Sequence, residues 1–333
     1  MRASVFLLGL CLSTMVGIGV SGGPVGAAPK VVVTLKPLHS LVANVMAGVG
    51  EPKLLIPGSA SPHAYSLRPS DAKALSEADL IFWVGEGMET FLEKPLETLA
   101  GGARVVELSA VEGVALLKAR AGGTWEAHAE AEQEEQHAGE KGIAPGDQGA
   151  TDEEPPDHLR GDNLHIWLDP DNAIAIARAA VAALGEVDPD HQADYIMNGD
   201  DLIGRLKALD RELRSDLAPV KETPFVVFHD AYQYFERHYD LNAVGAITVS
   251  PERAPGASRL SEIREKIKGL KASCVFSEPQ FAPSVVRTVI EGTSARQGVL
   301  DPLGVDAAAG PDAYFTLLRG LADSVKKCLA VAS

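Results

Sequence analysis

Apolar positions along this chain recur in two rhythms. Residues 31–35, 53–56, 80–84 and 103–107 are short runs rich in Val, Leu and Ile. Runs of that length and composition read as buried strands of a parallel sheet. Between them, 38–47, 70–75 and 89–99 space their apolar residues for helices, with Ser70 placed to cap the second. After Glu107 the periodicity stops. It resumes at His165-Ile166-Trp167-Leu168, and Asp169-Pro170 opens a helix to about Ala183. Asp188-Pro189 opens another that reaches Leu217 without an internal proline. That is about 42 Å at 1.5 Å per residue, long for a globular helix. The alternation then repeats, with strands over 225–228, 243–247, 274–277 and 298–300 and helices over 232–239, 260–270, 284–290 and 313–329. Two βα halves flanking one long helix predict an α/β fold of two lobes with parallel sheets and a cleft between them. The expected division is an N-terminal lobe over 28–187, a linking helix over 188–218 and a C-terminal lobe over 219–333.

The N-terminus stands outside both rhythms. Met1-Arg2 precedes an apolar, glycine-interrupted run over 5–20 and small residues to Ala28. This reads as a secretory signal peptide over 1–27, cleaved after Ala27. The run is too short to span a bilayer comfortably. Export makes the cysteines informative. Cys11 lies in the leader, which leaves Cys274 and Cys328. In an oxidising compartment such a pair is either a disulfide or two buried thiols. A bridge would close a loop of about 55 residues and contribute about 4 kcal/mol in the chain-entropy model. The formal charge is −16, and residues 126–163 supply −10 of it. That segment has no hydrophobic period and cannot bury enough surface to order itself, so a disordered acidic loop is expected over about 122–163. Nucleic acid and anionic membrane are poor partners for such a surface, and cations are suitable ones.

Four metal-type side chains share one kind of position. His63 follows the second strand, His165 precedes Asp169-Pro170, His229 follows the strand FVVF, and Asp301 follows the strand ending at Leu300. Ligands of open α/β sheets bind at the carboxyl ends of strands. Three imidazoles with a carboxylate or water make a tetrahedral zinc set. The gaps of 102, 64 and 72 residues contain no local motif such as HExxH. A three-histidine zinc hydrolase would also need a general base and a substrate pocket, and no such constellation is visible. His39, His191 and His238 read as structural or surface residues.

Several longer stretches carry a resemblance. SPHAYSLRPSDAKAL (61–75), NLHIWLDP (163–170), FVVFHDAYQYFERHYDL (225–241), SCVFSEPQF (273–281) and GVLDPLG (298–304) resemble, in order, the zinc-binding subunits of bacterial high-affinity zinc ABC importers, the ZnuA type. The resemblance covers nearly the whole mature chain. It implies two (β/α) lobes joined by a long rigid helix, with Zn2+ held in the cleft by His63, His165 and His229. It further implies a disulfide between Cys274 and Cys328. The expected protein is periplasmic, non-catalytic and monomeric, and its partner is a zinc permease in the inner membrane. Some members place an acid before the first ligand histidine; this chain has Pro62 there, which leaves Asp301 or a water it orients as the fourth ligand. Zinc members often carry a charged, His-rich insertion where His128, His137 and His158 stand, suited to weak zinc capture. A manganese-binding member is the alternative within the family, although the manganese branch has an acid in place of His229, and imidazole suits zinc better.

Overall fold

In the computed structural model, which describes residues 27–120, 125, 161–248 and 256–330, the two rhythms become two sheets of the same topology. The first sheet contains β1 (Val31–Val33), β2 (Lys53–Leu54), β3 (Leu80–Trp83) and β4 (Arg104–Glu107), all parallel, in the order β2-β1-β3-β4. Between these strands run α1 (Lys36–Val45), α2 (Pro69–Ser76) and α3 (Glu93–Leu99). The chain then forms β5 (Leu117–Lys118), β6 (Asp162–Asn163), α4 (Pro170–Val187) and α5 (Gln192–Leu217). The second sheet contains β7 (Phe225–His229), β8 (Ala243–Thr248), β9 (Cys274–Ser277) and β10 (Arg296–Val299), again parallel, in the order β10-β9-β7-β8. Its helices are α6 (Gln233–His238), α7 (Ala257–Gly269), α8 (Ser284–Ile290) and α9 (Ala313–Leu329). In each sheet the first strand of its half lies between the second and the third.

Strand β7 shows why FVVF carries no polar alternation. Phe225 and Val227 bury into the main core, whereas Val226 and Phe228 bury into a second cluster with Ile247, Ile263 and Ile267. Successive side chains of a strand point to opposite faces, and both faces of this parallel sheet are covered. The long helix α5 spans 26 residues, about 39 Å. Its buried residues include Leu202, Leu206, Leu209, Leu213 and Leu217, a single stripe at helical spacing. Gly199 lets α4 approach, since a Cβ there would meet Val181 Cγ2 at 2.4 Å.

Helix α2 begins at Pro69 rather than at a Ser70 cap. Proline is favoured in the first turn, and Asp71 accepts the backbone N–H of Arg68 at 2.9 Å. The chain after β4 also departs from expectation. β5 and β6 pair antiparallel, with Leu117 opposite Asn163, so ordered structure borders the acidic segment on both sides. Most of that segment, including His128, His137 and His158, lies outside the described residues, as does the expected leader up to residue 26. Cys274 on β9 and Cys328 on α9 are bridged, with Cα atoms 6.1 Å apart. Among the described residues no helix is long and apolar enough to cross a membrane.

Contacts distant in sequence fix one half against the other. Lys36, at the start of α1, donates through Nζ to the carbonyls of Gly304, Val305 and Ala307 at 2.6, 3.0 and 2.8 Å. Trp167 Nε1 donates to the carbonyl of Pro302 at 2.8 Å, and Tyr314 Oη on α9 donates to the carbonyl of Trp167 at 2.9 Å. Each buried donor thereby finds an acceptor in the other half, which is what a packed polar group requires.

Candidate metal centre

His63 sits on a 3-10 turn (Pro62–Ala64) just beyond β2, where the Ser61 hydroxyl accepts its backbone N–H at 3.3 Å. His165 follows β6 and precedes the 3-10 turn Ile166–Leu168. His229 is the last residue of β7. The fold brings the three together, with a ring nitrogen of each lying within 4.8 Å of the others. The ring centroids are 5.1 to 6.0 Å apart. Nε2 of His165 and Nε2 of His229 face each other at 3.2 Å. Nε2 of His63 is buried and has no hydrogen-bond partner among the described residues.

The Nδ1 atoms of His229 and His165 are occupied. Nδ1 of His229 is 2.6 Å from Oε1 of Glu278, and Nδ1 of His165 is 2.8 Å from Oδ1 of Asn163. A carboxylate only accepts, so Nδ1 of His229 carries a proton. Such outer carboxylate and amide partners are the usual way a ligand imidazole is oriented. Burial, followed by the like-charge effect of His229, lowers the pKa of His63 to about 3. Burial and then His229 and His63 push His165 well below its ordinary value. The rings of His63 and His165 are therefore held neutral, the form that binds metal.

The cavity they share is small, about 10 Å³, and is walled by Trp167, Phe281, Pro302 and Leu303. It has room for about one water-sized sphere.

A family model described as zinc-uptake complex component A, periplasmic (ZnuA) matches residues 31–328. The chain belongs to the ZnuA family. Among its relatives, the high-affinity zinc uptake system protein ZnuA of Brucella suis biovar 1 is 49% identical over 333 residues, covering 98% of this chain and 97% of that protein. The protein of the same name from Yersinia pestis is 38% identical over 304 residues, covering 91% and 92%. A crystal structure of ZnuA superposes with a TM-score of 0.71 at 22% identity, covering 91% of this chain and all of that one. The periplasmic zinc-binding protein TroA of Treponema pallidum superposes equally well, at 0.71 and 20% identity, over 91% of this chain and 100% of that one. At that identity the two structures speak for the shared fold.

Asp301 stands apart from the three-histidine group. Its carboxylate accepts the backbone N–H groups of Leu303, at 3.0 Å, and of Val305, and also Nε2 of Gln280 at 3.0 Å. It thus holds the turn through Pro302 and Leu303, both of which wall the cavity. His39 and His191 are structural: Nε2 of His39 contacts the carbonyl of Pro52 at 2.8 Å, and Nδ1 of His191 contacts Asp188 at 2.7 Å. His238 is more buried than its polar helical stretch suggested, with its ring between Asp169 and Asp210. Glu278 and Asn163 are the functional residues that sequence reading passed over. Both lie inside recognised motifs, SEPQF and NLHIW, but nothing local marks them as partners of histidines.

Proposed function

We propose that this chain captures one Zn2+ between His63, His165 and His229 and delivers it to an ABC-type permease for zinc uptake. The observation that carries this reading is the 3.2 Å between the Nε2 atoms of His165 and His229. Three imidazole nitrogens from distant parts of the chain thus converge within 4.8 Å of one another, close enough to share one ion. With Zn–N bonds of 2.0–2.1 Å, the edge of a tetrahedron is about 3.3–3.4 Å, close to the spacing found. An all-imidazole set suits zinc over manganese, which favours oxygen donors. The fourth position falls to water, since the Asp301 carboxylate is taken up by the turn it caps. The protein is a transport subunit and not an enzyme. It acts as an exported monomer in the periplasm, after removal of residues 1–27, and its partner is a permease in the inner membrane. Competition titration of the purified mature protein against a chromophoric zinc chelator tests the site. One tight zinc equivalent is expected in the parent, with a large loss in each single alanine variant of the three histidines. Retention of parental affinity in any of them would overturn the assignment.

A further inference from the structure

Asn163 is only 5% exposed, and its amide touches both segments that carry the facing ligands. Oδ1 accepts the backbone N–H of His165 at 3.1 Å and lies 2.8 Å from that residue's ring Nδ1. Nδ2 donates to the backbone carbonyl of Asp230, the residue after His229, at 2.7 Å, and reaches Oε1 of Gln233 at 3.1 Å. Chemistry fixes which end of the amide is which. A backbone N–H can only donate and a backbone carbonyl can only accept, so the oxygen must face His165 and the nitrogen must face Asp230. It follows that Nδ1 of His165 carries its hydrogen and that the lone pair sits on Nε2, directed at Nε2 of His229.

We infer that Asn163 is a positioning residue for metal capture. It selects the Nδ1–H tautomer of His165, and it sets the spacing of His165 from His229 by tying the ring of one to the peptide beside the other. The residue is itself well held. Asn163 lies opposite Leu117 in the β5–β6 pair, and its carbonyl accepts from Tyr234 Oη at 2.5 Å, while Tyr234 Oη in turn accepts the N–H of Leu117 at 3.0 Å. A strut of this kind preorganises two of three ligands before the ion arrives, which lowers the ordering cost of binding. Outer-shell partners of metal ligands typically account for about 10–100-fold in affinity. This inference rests on the three-histidine reading above.

The test compares Asn163→Ala and Asn163→Asp in the full mature chain. Zinc affinity comes from chelator competition, and the tautomer of His165 from long-range 15N NMR of histidine-labelled apo protein. Asn163→Ala is expected to weaken zinc binding about 10–100-fold and to let the Nε2–H tautomer of His165 appear. Asn163→Asp keeps the acceptor and loses the donor to the Asp230 carbonyl, so it should hold the Nδ1–H tautomer and recover only part of the lost affinity. Unchanged affinity and tautomer in Asn163→Ala would overturn the inference, as would an Asn163→Asp variant as weak as alanine with the tautomer released. If Asn163→Ala does not fold, the tautomer and affinity of Asn163→Asp decide alone. A parent that binds no zinc at the three histidines is a separate outcome, which removes the underlying reading.

Discussion

Two histidine groups lie along the same chain segments, and the pKa values of His63 and His165 in one are pushed the opposite way from that of His238 in the other. One is the cleft group, His63, His165 and His229. The other surrounds His238, nine residues beyond His229, and includes Asp169, four residues beyond His165. In the cleft the imidazoles face one another in a small pocket, and burial keeps His63 and His165 neutral. At His238, Nδ1 lies 3.1 Å from Asp169 and Nε2 lies 2.7 Å from Asp210, with Asp171 4.0 Å away and Arg214 alongside. Burial also pulls on His238, but the hydrogen bonds to Asp169 and Asp210 outweigh it and hold its pKa above the ordinary value. Carboxylates on both ring nitrogens call for an imidazolium. It joins the N-terminus of α4, the middle of α5 and the end of α6. The residue type is the same in both places, and the neighbours decide whether it is a ligand or an ion-pair partner.

The sharpest way to break this contrast is to truncate one histidine from each side. His229→Ala should weaken zinc binding more than 100-fold, beyond what loss of an outer-shell partner costs. His238→Ala should leave zinc affinity within about threefold of the parent by the same chelator competition. A comparable loss in both would erase the distinction. The stability of the zinc-free protein should show the reverse emphasis. His238→Ala strips two partly buried carboxylates of their shared partner, and urea unfolding should register a loss of about 2 kcal/mol. That is below the 3–5 kcal/mol of a fully buried pair, because Asp210 and Asp169 keep some exposure.

Their pH dependence should have opposite sign. The folded-state pKa of His63 is about 3, against about 6.5 in an unfolded chain. As pH falls below 6.5 the unfolded chain takes this proton first, so apo stability is lost between about pH 6.5 and 3. The slope is at most about 1.4 kcal/mol per pH unit for this group. His63→Leu should therefore gain on the parent as the medium is acidified. The raised pKa of His238 makes its contribution complete below about pH 6.5 and lost as pH climbs through the folded value. The parent's advantage over His238→Gln should accordingly shrink from pH 6 to pH 9. Urea melts across this range that gave both differences the same sign would refute the assigned protonation states. The smallest effect is expected at Asp301. Asp301→Asn keeps an acceptor for the turn, and zinc affinity should stay within about threefold; a loss matching His229→Ala would make Asp301 a ligand after all.

Much of the framework was legible in the chain. The strands and helices of both lobes followed from apolar runs and helical spacing, because burial on one stripe or two faces leaves a local periodic trace. The long helix α5 was legible from its proline-free length after Asp188-Pro189. The bridge between Cys274 and Cys328 came first as one of two options, then from the resemblance. Where local signal was thin, reading failed. The two-residue strands β5 and β6 are too short to show any period. Ser70 looked like a cap only because the proline before it was not weighed.

The sequence by itself determined most of the strands and helices, and that His229 would stand at the end of a strand, since backbone preference and apolar period act over a few residues. Only the tertiary structure decided what each side chain does there. It turned Asp301 toward the amides of Leu303 and Val305, set Glu278 against His229 across 49 residues of chain, and closed carboxylates around His238. Tautomer, charge and ligand role depend on distances of about 3 Å between groups, and those distances come from long-range packing that no local pattern encodes.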